Sequence, residues 1–322
     1  MRESIEKFSQ QFLWDPVIEN AENFRHQERV IVIGMGGSHL AADIVKAWKP
    51  ELKLRVWSDY GLPHISETER ENTLIIASSY SGNTEEVLDG YMIAQNLHIP
   101  LLVISTGGLL LEYARRDGTP YIQMPQTNIQ PRMSLGFGVK AILKALGEER
   151  ELKEISSLAV LLSLETVERV GKELAEKIKD RIPVIYASAR NRAIAQIWKI
   201  KLNEGSKIPA FYNVFPELNH NEMIGFESAV GTQKLSEKFY FIILKDAEDH
   251  SSIARRMEIT KNILEKNKHR VEIILMQKGT RFQTMFSSLL LADLVALYCA
   301  EMHHVDPEEI LMIEDLKRRM RE

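Results

Sequence analysis

The sequence predicts an α/β protein with two similar domains, each built on a mostly parallel sheet flanked by helices. Short apolar runs alternate with longer amphipathic stretches along the chain of 322 residues, a pattern typical of parallel strands joined by helical crossovers. The length suits about two domains. The second half also repeats the scheme of the first, so one architecture occurring twice is the simplest prediction.

Five strands and four helical stretches are predicted in the first half. The strands are the apolar runs Val30–Ile33, Leu52–Trp57, Thr73–Ala77, Leu101–Ile104 and Tyr121–Met124. The helical stretches are Ala41–Trp48, Glu85–Asn96, Gly136–Leu146 and Leu152–Lys179. Charged residues cluster at 148–153 and indicate a boundary there. We therefore predict one domain over residues 1–151 and a second over residues 152–322.

Four strands and three helices are predicted in the second half. The strands are Val184–Ala187, Phe211–Val214, Phe239–Leu244 and Val271–Met276, and the helices are Ala189–Asn203, Ile253–Lys266 and Phe286–His303. The most apolar stretch, Ser287–Ala300, carries Asp293 and is shorter than the roughly 20 residues of a membrane span. A buried helix is the better prediction for it.

Composition and charge narrow the class of protein. The formal net charge of -4 gives no reason to expect nucleic acid or an anionic membrane as the main partner. Cys299 is the only cysteine, which excludes an internal disulfide and suits a reducing compartment. The N-terminal residues lack the apolar stretch of a signal peptide. We therefore expect a soluble cytoplasmic protein with no nucleic-acid or membrane partner.

A glycine-rich loop follows the first predicted strand and contains Gly34, Gly36, Gly37 and Ser38. The dinucleotide-binding fingerprint requires a further glycine where this chain has His39, since that glycine lets helix and strand pack closely. The loop therefore argues against a dinucleotide cofactor. Its amides and the Ser38 hydroxyl can approach a polar ligand at a helix N-terminus. A tight turn without any ligand is an equal alternative.

A serine-rich loop follows the strand Thr73–Ala77 and opens a helix. Hydroxyl groups stand at Ser79, Ser81 and Thr84 around Gly82, which permits a sharp turn. Such hydroxyls, together with the amides of a helix start, form a neutral cradle for a phosphate. An ordinary helix N-cap would explain Thr84 but not the two serines. The loop therefore predicts a phosphate site.

Together the two loops resemble those of the sugar isomerase (SIS) domain. In that family the serine loop holds a sugar phosphate, so the resemblance implies a small phosphosugar ligand. It also implies two αβα sandwich domains, each with a mostly parallel five-stranded sheet. SIS domains occur in isomerases, regulators and aminotransferases, so the loops identify a class of ligand and not a reaction.

The second half supplies a candidate base. Glu204 and Gly205 end a predicted helix, and Gly205 is expected to be its C-terminal cap. Glu204 would then lie at the negative end of the helix dipole, which disfavours its charged form by a few tenths to about 1 kcal/mol and suits a general base. A solvated glutamate paired with Lys201 or Lys207 is the alternative.

A candidate histidine lies in the polar segment that follows. His220 is flanked by Asn219 and Asn221, with Glu217 and Glu222 nearby. Such neighbours can set the tautomer and charge of an imidazole. An ordinary surface histidine is the competing interpretation, and the residues alone leave both open.

Almost the whole chain resembles one branch of the SIS group, the bifunctional phosphoglucose/phosphomannose isomerase family. The matching segments are Gly34–Ser38, Ser79–Thr84, Pro131–Ser134, Ala189–Asn191, Asn203–Glu204, Glu217–Asn221, Asp306–Pro307 and Leu316–Lys317. The resemblance implies a homodimer that interconverts glucose 6-phosphate and mannose 6-phosphate with fructose 6-phosphate through a cis-enediol.

The resemblance also implies a role for each site residue. Glu204 would move a proton between C1 and C2, and His220 from the neighbouring subunit would open the sugar ring. Arg132 would stabilise the enediolate, and Lys317 would lie near the ring oxygen or hydroxyls. The phosphate would be bound by Ser79, Ser81, Thr84, Gly37 and Ser38. One base and one fixed cation suffice for this chemistry, so neither a cofactor nor a metal ion is expected.

Two other functions remain as alternatives. A non-catalytic phosphosugar sensor would keep the serine loop but would not need Glu204, Arg132 and His220 together, and the chain shows no basic N-terminal DNA-binding module. An aminotransferase-type isomerase would need a nitrogen-donor domain, for which 322 residues leave no room. A metal-independent sugar-phosphate isomerase is the function we expect.

Overall fold

The structure, a computed structural model, describes residues 1–229 and 231–320 and consists of two compact units. The first unit is Glu6–Leu162, and the second comprises Met1–Ile5 and the chain from Ser163 onward. The boundary therefore follows Leu162 and not residue 151, where the charged residues had placed it. The helix at Glu149–Ser156 buries its apolar side in the first unit, so the charges there mark a surface and not a linker.

Each unit is built on a parallel sheet. Within the described ranges the strands are β1 (Arg29–Ile33), β2 (Leu54–Trp57), β3 (Thr73–Ser78), β4 (Leu101–Ser105), β5 (Tyr121–Gln123), β6 (Ile182–Ser188), β7 (Phe211–Phe215), β8 (Phe239–Lys245) and β9 (Arg270–Leu275). The strand orders are β2-β1-β3-β4-β5 and β7-β6-β8-β9. All strand pairs are parallel. The predicted α/β class and all nine predicted strands are confirmed.

The second sheet differs from the expected five strands. It contains four in the described part of the chain. After β4 the chain forms a helix and then β5, whereas after β9 it passes directly into a long helix that begins at Arg281. The second unit therefore lacks the last helix–strand pair of the first.

Helices cover the two sheets. They are α1 (Arg2–Glu6), α2 (Gly37–Trp48), α3 (Glu67–Arg70), α4 (Glu85–Asn96), α5 (Gly108–Asp117), α6 (Leu135–Leu146), α7 (Glu149–Ser156), α8 (Leu158–Leu161), α9 (Leu164–Ile178), α10 (Arg192–Ser206), α11 (Gln233–Ser236), α12 (Ser251–Lys266), α13 (Arg281–His303) and α14 (Leu311–Arg319). The predicted stretch Leu152–Lys179 is not one helix but parts of three. Extended backbone at Leu162 and Ser163 separates α8 from α9, which is where the units divide.

Helix α13 is the core helix of the second unit. By length and composition it is the one described helix that could cross a membrane, but 83% of its most apolar 18-residue stretch is buried inside the protein. It packs against α9 and α10. Its single acidic residue in that stretch, Asp293, is paired with Lys201 of α10. The prediction of a buried helix for this segment is confirmed.

Candidate active site

The serine loop joins β3 to α4 and is shaped by its own hydroxyl groups. The Gly82 N–H donates to Ser79 Oγ (3.0 Å), and Ser79 Oγ lies 2.8 Å from Thr84 Oγ1. Ser79 is only 1% exposed, whereas Ser81 is exposed. Ser79 therefore holds the turn together, and Ser81 stands at its surface, where a ligand can reach it.

Thr84 occupies the N-cap position of α4, but its side chain makes no capping hydrogen bond. The hydroxyl turns back to Ser79 instead. Glu85 and Glu86 occupy the first turn, where the helix dipole favours acidic groups. An ordinary N-cap therefore does not explain Thr84, and the helix start keeps the amide groups that α-helices leave without intrahelical partners.

The glycine loop joins β1 to α2 and is tied directly to the serine loop. Ser38 Oγ accepts a hydrogen bond from the Tyr80 N–H (2.9 Å), and Ser78 Oγ donates to the Ser38 carbonyl (3.0 Å). Both loops follow the carboxyl ends of neighbouring strands, β1 and β3, where open parallel sheets bind ligands. The structure thus brings Ser38 to the serine loop.

Arg132 lies beside the glycine loop. It sits in a 3₁₀ turn, Pro131–Met133, just before α6, and is 2% exposed. A Cβ atom on Gly37 would lie 2.7 Å from the Pro131 carbonyl carbon and 2.8 Å from the Arg132 nitrogen. Glycine at position 37 therefore lets the Arg132 turn approach α2 closely, which couples the cation to the glycine loop.

A third loop, which the sequence analysis missed, braces the serine loop. Thr106, between β4 and α5, donates from Oγ1 to the Tyr80 carbonyl (2.7 Å), and the Leu109 N–H in the first turn of α5 donates to Asn83 Oδ1 (3.1 Å). Gly82 has φ +69°, and a Cβ there would lie 1.8 Å from the Gly107 carbonyl oxygen. The signal was a small polar run at 105–108 after an apolar strand, as in the other two loops.

Glu204 lies in the last turn of α10 and is half-buried. The expected cap at Gly205 is wrong, because the helix continues to Ser206 and Lys207 takes the left-handed cap conformation with φ +57°. A Cβ on Gly205 would lie 3.2 Å from Ala296 Cβ. This glycine therefore serves the packing of α10 against α13. The Lys207 ammonium donates to the main-chain carbonyl of Glu204.

His220 ends a 3₁₀ turn, Glu217–His220, that follows β7, and it is exposed. Its neighbours are fixed on either side. Asn219 Nδ2 donates to Thr260 Oγ1 of α12 (2.9 Å), and Asn221 Nδ2 donates to Glu217 Oε1 (2.7 Å). The turn is therefore held by its asparagines, with the imidazole presented at the surface.

Glu222 anchors the same segment to the sheet. Its carboxylate accepts hydrogen bonds from the Tyr186 hydroxyl (2.6 Å) and from Asn213 Nδ2 (2.5 Å). Burial, and then the nearby Glu222 carboxylate, raise the pKa of Tyr186 well above its ordinary value. The phenol therefore stays protonated and continues to donate, which keeps the turn in place over a wide range of pH.

Glu204 and His220 lie near opposite ends of the strands of the second sheet. Helix α10 follows the carboxyl end of β6 and leads back to the start of β7, so Glu204 lies near the amino ends of the strands, whereas His220 follows the carboxyl end of β7. The five residues of β7 separate these two ends by on the order of 13 Å at 3.3 Å per residue. Within one chain the second unit does not bring these two residues together.

Lys317 lies on α14 and is exposed. The segment before this helix is tied to the end of α10, because Lys207 Nζ donates to the Pro307 carbonyl (3.3 Å). The Met1 amino group lies 2.8 Å from Glu308 Oε1. The structure thus associates the start of this C-terminal segment with the helix end that carries Glu204.

The carboxyl ends of the strands of the second sheet present different side chains from those of the first. Asp246, 4% exposed, accepts hydrogen bonds from Arg281 (2.8 Å) and from Asn191 Nδ2 (3.2 Å). Burial, and then the nearby Arg190 guanidinium, lower the pKa of Arg281 to about 10. A fixed carboxylate therefore faces these strand ends, where the first unit presents hydroxyl groups.

Further histidine positions have structural roles within helices or at their ends. His39 Nδ1 lies 2.7 Å from Asp43 Oδ2 on α2. Helix α13 ends at His303, as the sequence predicted, and His304 is its C-terminal cap. Among residues 1–229 and 231–320, no three His, Cys, Asp or Glu side chains are grouped so that they could hold a metal ion.

The chain is similar to known proteins of one family. Residues 168–320 match the family model of the bacterial phospho-glucose isomerase C-terminal SIS domain. The chain is 32% identical to a bifunctional phosphoglucose/phosphomannose isomerase of Aquifex aeolicus over 98% of this chain and 97% of that one. It is 35% identical to the protein of that name from Caldicellulosiruptor bescii over 92% and 90% of the two chains.

A solved structure shares the fold. The C-terminal domain of glucosamine-fructose-6-phosphate aminotransferase from Francisella tularensis superimposes with a TM-score of 0.71 at 12% identity, covering 96% of each chain. That likeness concerns the fold alone. The two full-length relatives carry the stronger conclusion, which agrees with the coupled loops of the first unit. The chain belongs to the bifunctional phosphoglucose/phosphomannose isomerase family.

Proposed function

We propose that the protein is an aldose–ketose isomerase that interconverts glucose 6-phosphate and mannose 6-phosphate with fructose 6-phosphate. The observation that carries this proposal is that the serine loop, the glycine loop and the Arg132 turn contact one another at the carboxyl ends of the strands of the first sheet. The names of the full-length relatives support the same reaction.

The phosphate group is bound by the serine loop. Ser81 is accessible, and Thr84 and Ser38 are half-buried beside it. Gly37 gives the backbone room at the start of α2, and Ser79 shapes the turn from below. Hydroxyl groups and the amides of a helix start stabilise the phosphate dianion without a lysine or arginine side chain. The side chains that act on C1 and C2 of the sugar are therefore separate from those that bind the phosphate.

The chemical step is a proton transfer between two carbons. The Glu204 carboxylate removes the C2 proton of the open-chain aldose phosphate, and the electron pair of that C–H bond forms a C1–C2 double bond while the C1 carbonyl oxygen becomes the enediolate oxygen. The hydroxyl proton then moves from O2 to O1, and return of the carbon proton from Glu204 to C1 gives the ketose phosphate with its carbonyl at C2. Arg132 stabilises the negative charge that develops on oxygen. Because the enediol is planar at C2, glucose and mannose phosphates share this intermediate.

The working site takes residues from two chains of a homodimer. His220 opens the sugar ring as an acid–base group, and Lys317 contacts the ring oxygen or hydroxyls. Glu204 and His220 lie near opposite ends of the strands, and this separation supports a site in which the histidine comes from the neighbouring subunit. The reaction is assigned to side chains alone, and a cytoplasmic location suits the single buried cysteine.

A coupled assay with fructose 6-phosphate tests this proposal by reading glucose 6-phosphate and mannose 6-phosphate separately. Wild-type protein is expected to form both, Glu204→Gln neither, and the matched surface variant Glu176→Gln both at the wild-type rate. Phosphosugar binding without turnover in the wild type would contradict the enzyme and favour the non-catalytic sensor.

Mixing two inactive variants tests the shared site. In a heterodimer of Glu204→Gln and His220→Ala chains, one of the two sites combines a native Glu204 with a native His220. After subunit exchange the mixture is expected to regain about a quarter of wild-type activity, because half of the randomly paired dimers are mixed. No recovery above the separate variants would show that both residues act within one chain.

A further inference from the structure

The outer edge of β9 is an open strand edge. In the described part of the chain β9 pairs with β8 alone. The Met276 N–H donates to the Lys245 carbonyl (2.9 Å), so the alternate residues 272 and 274 also direct their main-chain groups toward β8. Val271, Ile273 and Leu275 therefore direct theirs outward, where they can pair with another strand.

The equivalent edge of the first sheet is covered by the chain itself. There β5 pairs with β4, with Val103 beside Tyr121 and Ser105 beside Gln123. The two sheets share the order of their first four strands, and β9 takes the place of β4. The fold thus has a position for a strand beside β9 that the second unit does not fill with its own residues.

A groove of about 540 Å³ lies along this edge, between β9 and helices α9 and α13. Consecutive residues from Glu272 to Gln277 line it. Because side chains of a strand alternate between faces, a consecutive run indicates that the groove follows the strand edge. Val170 and Leu291 supply apolar walls, and Leu275 is 73% exposed beside them.

The groove also contains an unsatisfied polar group. Ser287 lines it and is 4% exposed, and its hydroxyl has no hydrogen-bond partner among the described residues. A buried hydroxyl without a partner is unfavourable, and an exposed aliphatic edge invites strand pairing. In the described part of the chain, the second unit therefore leaves the outer side of β9 and the Ser287 hydroxyl without hydrogen-bond partners.

Alternate residues of β9 match their own sequence in the antiparallel direction. With Ile273 opposite Ile273 of a second copy, Val271 stands opposite Leu275. The three residues whose main-chain groups point outward thus form aliphatic cross-strand pairs, which stabilise antiparallel ladders, and between these pairs Glu272 stands opposite Ile274. A two-fold axis through Ile273 gives both copies the same contacts, as an isologous interface requires.

We propose that β9 pairs antiparallel with β9 of a second copy of this chain, joining two four-stranded sheets into one of eight strands and closing both grooves. The occupant is a second copy because the outward residues match their own sequence in reverse. This interface is distinct from the contact that the proposed function requires, and it stands whether or not the protein is an isomerase.

Proline at position 275 tests the pairing. The Leu275 N–H points outward, so Leu275→Pro removes one intermolecular donor while leaving the β8–β9 ladder intact. The matched control Leu275→Val keeps both the N–H and an aliphatic side chain opposite Val271. Light scattering is expected to show that the proline variant has half the wild-type mass and that the valine variant keeps it. Equal masses for all three proteins, or halving in both variants, would overturn the proposal.

Cysteine cross-linking tests the register without relying on the proline variant. Opposed residues of a hydrogen-bonded antiparallel pair have Cα atoms about 5.5 Å apart, within disulfide range. Ile273→Cys is therefore expected to form covalent pairs under mild oxidation. Val271→Cys lies about 13 Å from its counterpart and should not. The native Cys299 is buried, so background is low. Absence of cross-links at 273, or equal cross-linking at both positions, would contradict the register.

The two tests also separate this proposal from the isomerase. Mass and cross-linking are read without substrate, so they report on the β9 interface alone. Turnover of fructose 6-phosphate by Leu275→Pro is expected to equal that of the wild type, because position 275 is outside the proposed catalytic machinery. Isomerase failure in both proteins with a halved mass in the variant would leave the interface standing and remove the function.

Discussion

Lys201 Nζ lies 2.5 Å from Asp293 Oδ1, and both side chains are completely buried. This ion pair joins α10, which carries Glu204, to the core helix α13. Two further bonds run along the same seam, from Trp198 Nε1 to Ser288 Oγ (3.0 Å) and from Ser206 Oγ to the Ala296 carbonyl (3.0 Å). The candidate base is therefore carried by a helix whose position is fixed by buried polar contacts.

Removing one partner of this ion pair should strongly destabilise the second unit. Asp293→Leu leaves the Lys201 ammonium buried beside a hydrocarbon, which is expected to lower the free energy of unfolding by about 3–5 kcal/mol. The double variant Lys201→Met with Asp293→Leu should recover most of that loss, since it buries no charge. Urea unfolding followed by circular dichroism measures both. A single variant within about 1 kcal/mol of wild type would contradict a buried charged pair.

Alanine at position 82 should disrupt phosphate binding. Its Cβ would lie 1.8 Å from the Gly107 carbonyl oxygen, so the serine loop must move. Loss of one or two bonds to a charged ligand is expected to raise KM about 10- to 100-fold. Gly61→Ala is the matched control, because Gly61 has a similar φ of +67° but its Cβ would meet nothing nearer than 3.9 Å. An equal KM effect in both variants would indicate backbone strain and not the contact between the loops.

Alanine at position 37 should act on turnover. The added Cβ would press on the Pro131–Arg132 peptide at 2.7–2.9 Å and displace the guanidinium from the developing oxyanion. We expect kcat and kcat/KM to fall together, by about 100-fold or more, as for loss of one transition-state contact. Steady-state kinetics with fructose 6-phosphate measures this. A rise in KM with unchanged kcat would instead place Gly37 in phosphate binding alone.

Stability should fall with pH above the ordinary pKa of Cys299. Burial raises the pKa of this thiol from 9.0 to about 12, so the folded state keeps a proton that the unfolded state releases. Its contribution is fully present below pH 9 and is lost between pH 9 and 12, by up to about 1.4 kcal/mol per pH unit. Tyr91, whose pKa burial raises to about 12, acts in the same direction above pH 10.

Replacing the cysteine separates the two groups. Cys299→Ala should show a shallower decline of unfolding free energy between pH 9 and 10, while the Tyr91 contribution above pH 10 remains in both proteins. Urea titrations at half-unit pH steps measure the difference. Parallel curves for wild type and variant over pH 9–10 would show that the thiol does not titrate differently in the folded and unfolded states.

Local patterns were sufficient where one strand, one loop or one helix decided the outcome. All nine strands lie where apolar runs were found, because a strand in a parallel sheet is buried on both faces and reads as a short continuous apolar run. The serine loop and the glycine loop were each recognised from their own residues. Their contact at Ser38 and Tyr80 follows from the adjacency of β1 and β3, which the sequence pattern alone does not state.

Other features depended on which elements meet. Glycine often ends helices, which predicts a cap at Gly205, but in the structure this glycine lies inside α10, where Ala296 of α13 approaches it. The pattern of Leu152–Lys179 predicts one helical stretch, and the division of the chain into two units interrupts it. The loop at 105–108 was missed because its contacts with Gly82 and Tyr80 are made across the sheet edge.

The sequence by itself determined the α/β class, the nine strands, and the residues of the serine loop and the glycine loop, because periodicity and loop composition are local properties. Tertiary structure alone decided that Ser79 is buried beneath its loop, that Gly205 packs against α13, that Glu204 and His220 lie near opposite ends of the strands of one sheet, and that β9 is an edge strand with one unpaired side. Each of these depends on strand order and on helix packing, which bring together residues distant along the chain and which no local pattern encodes.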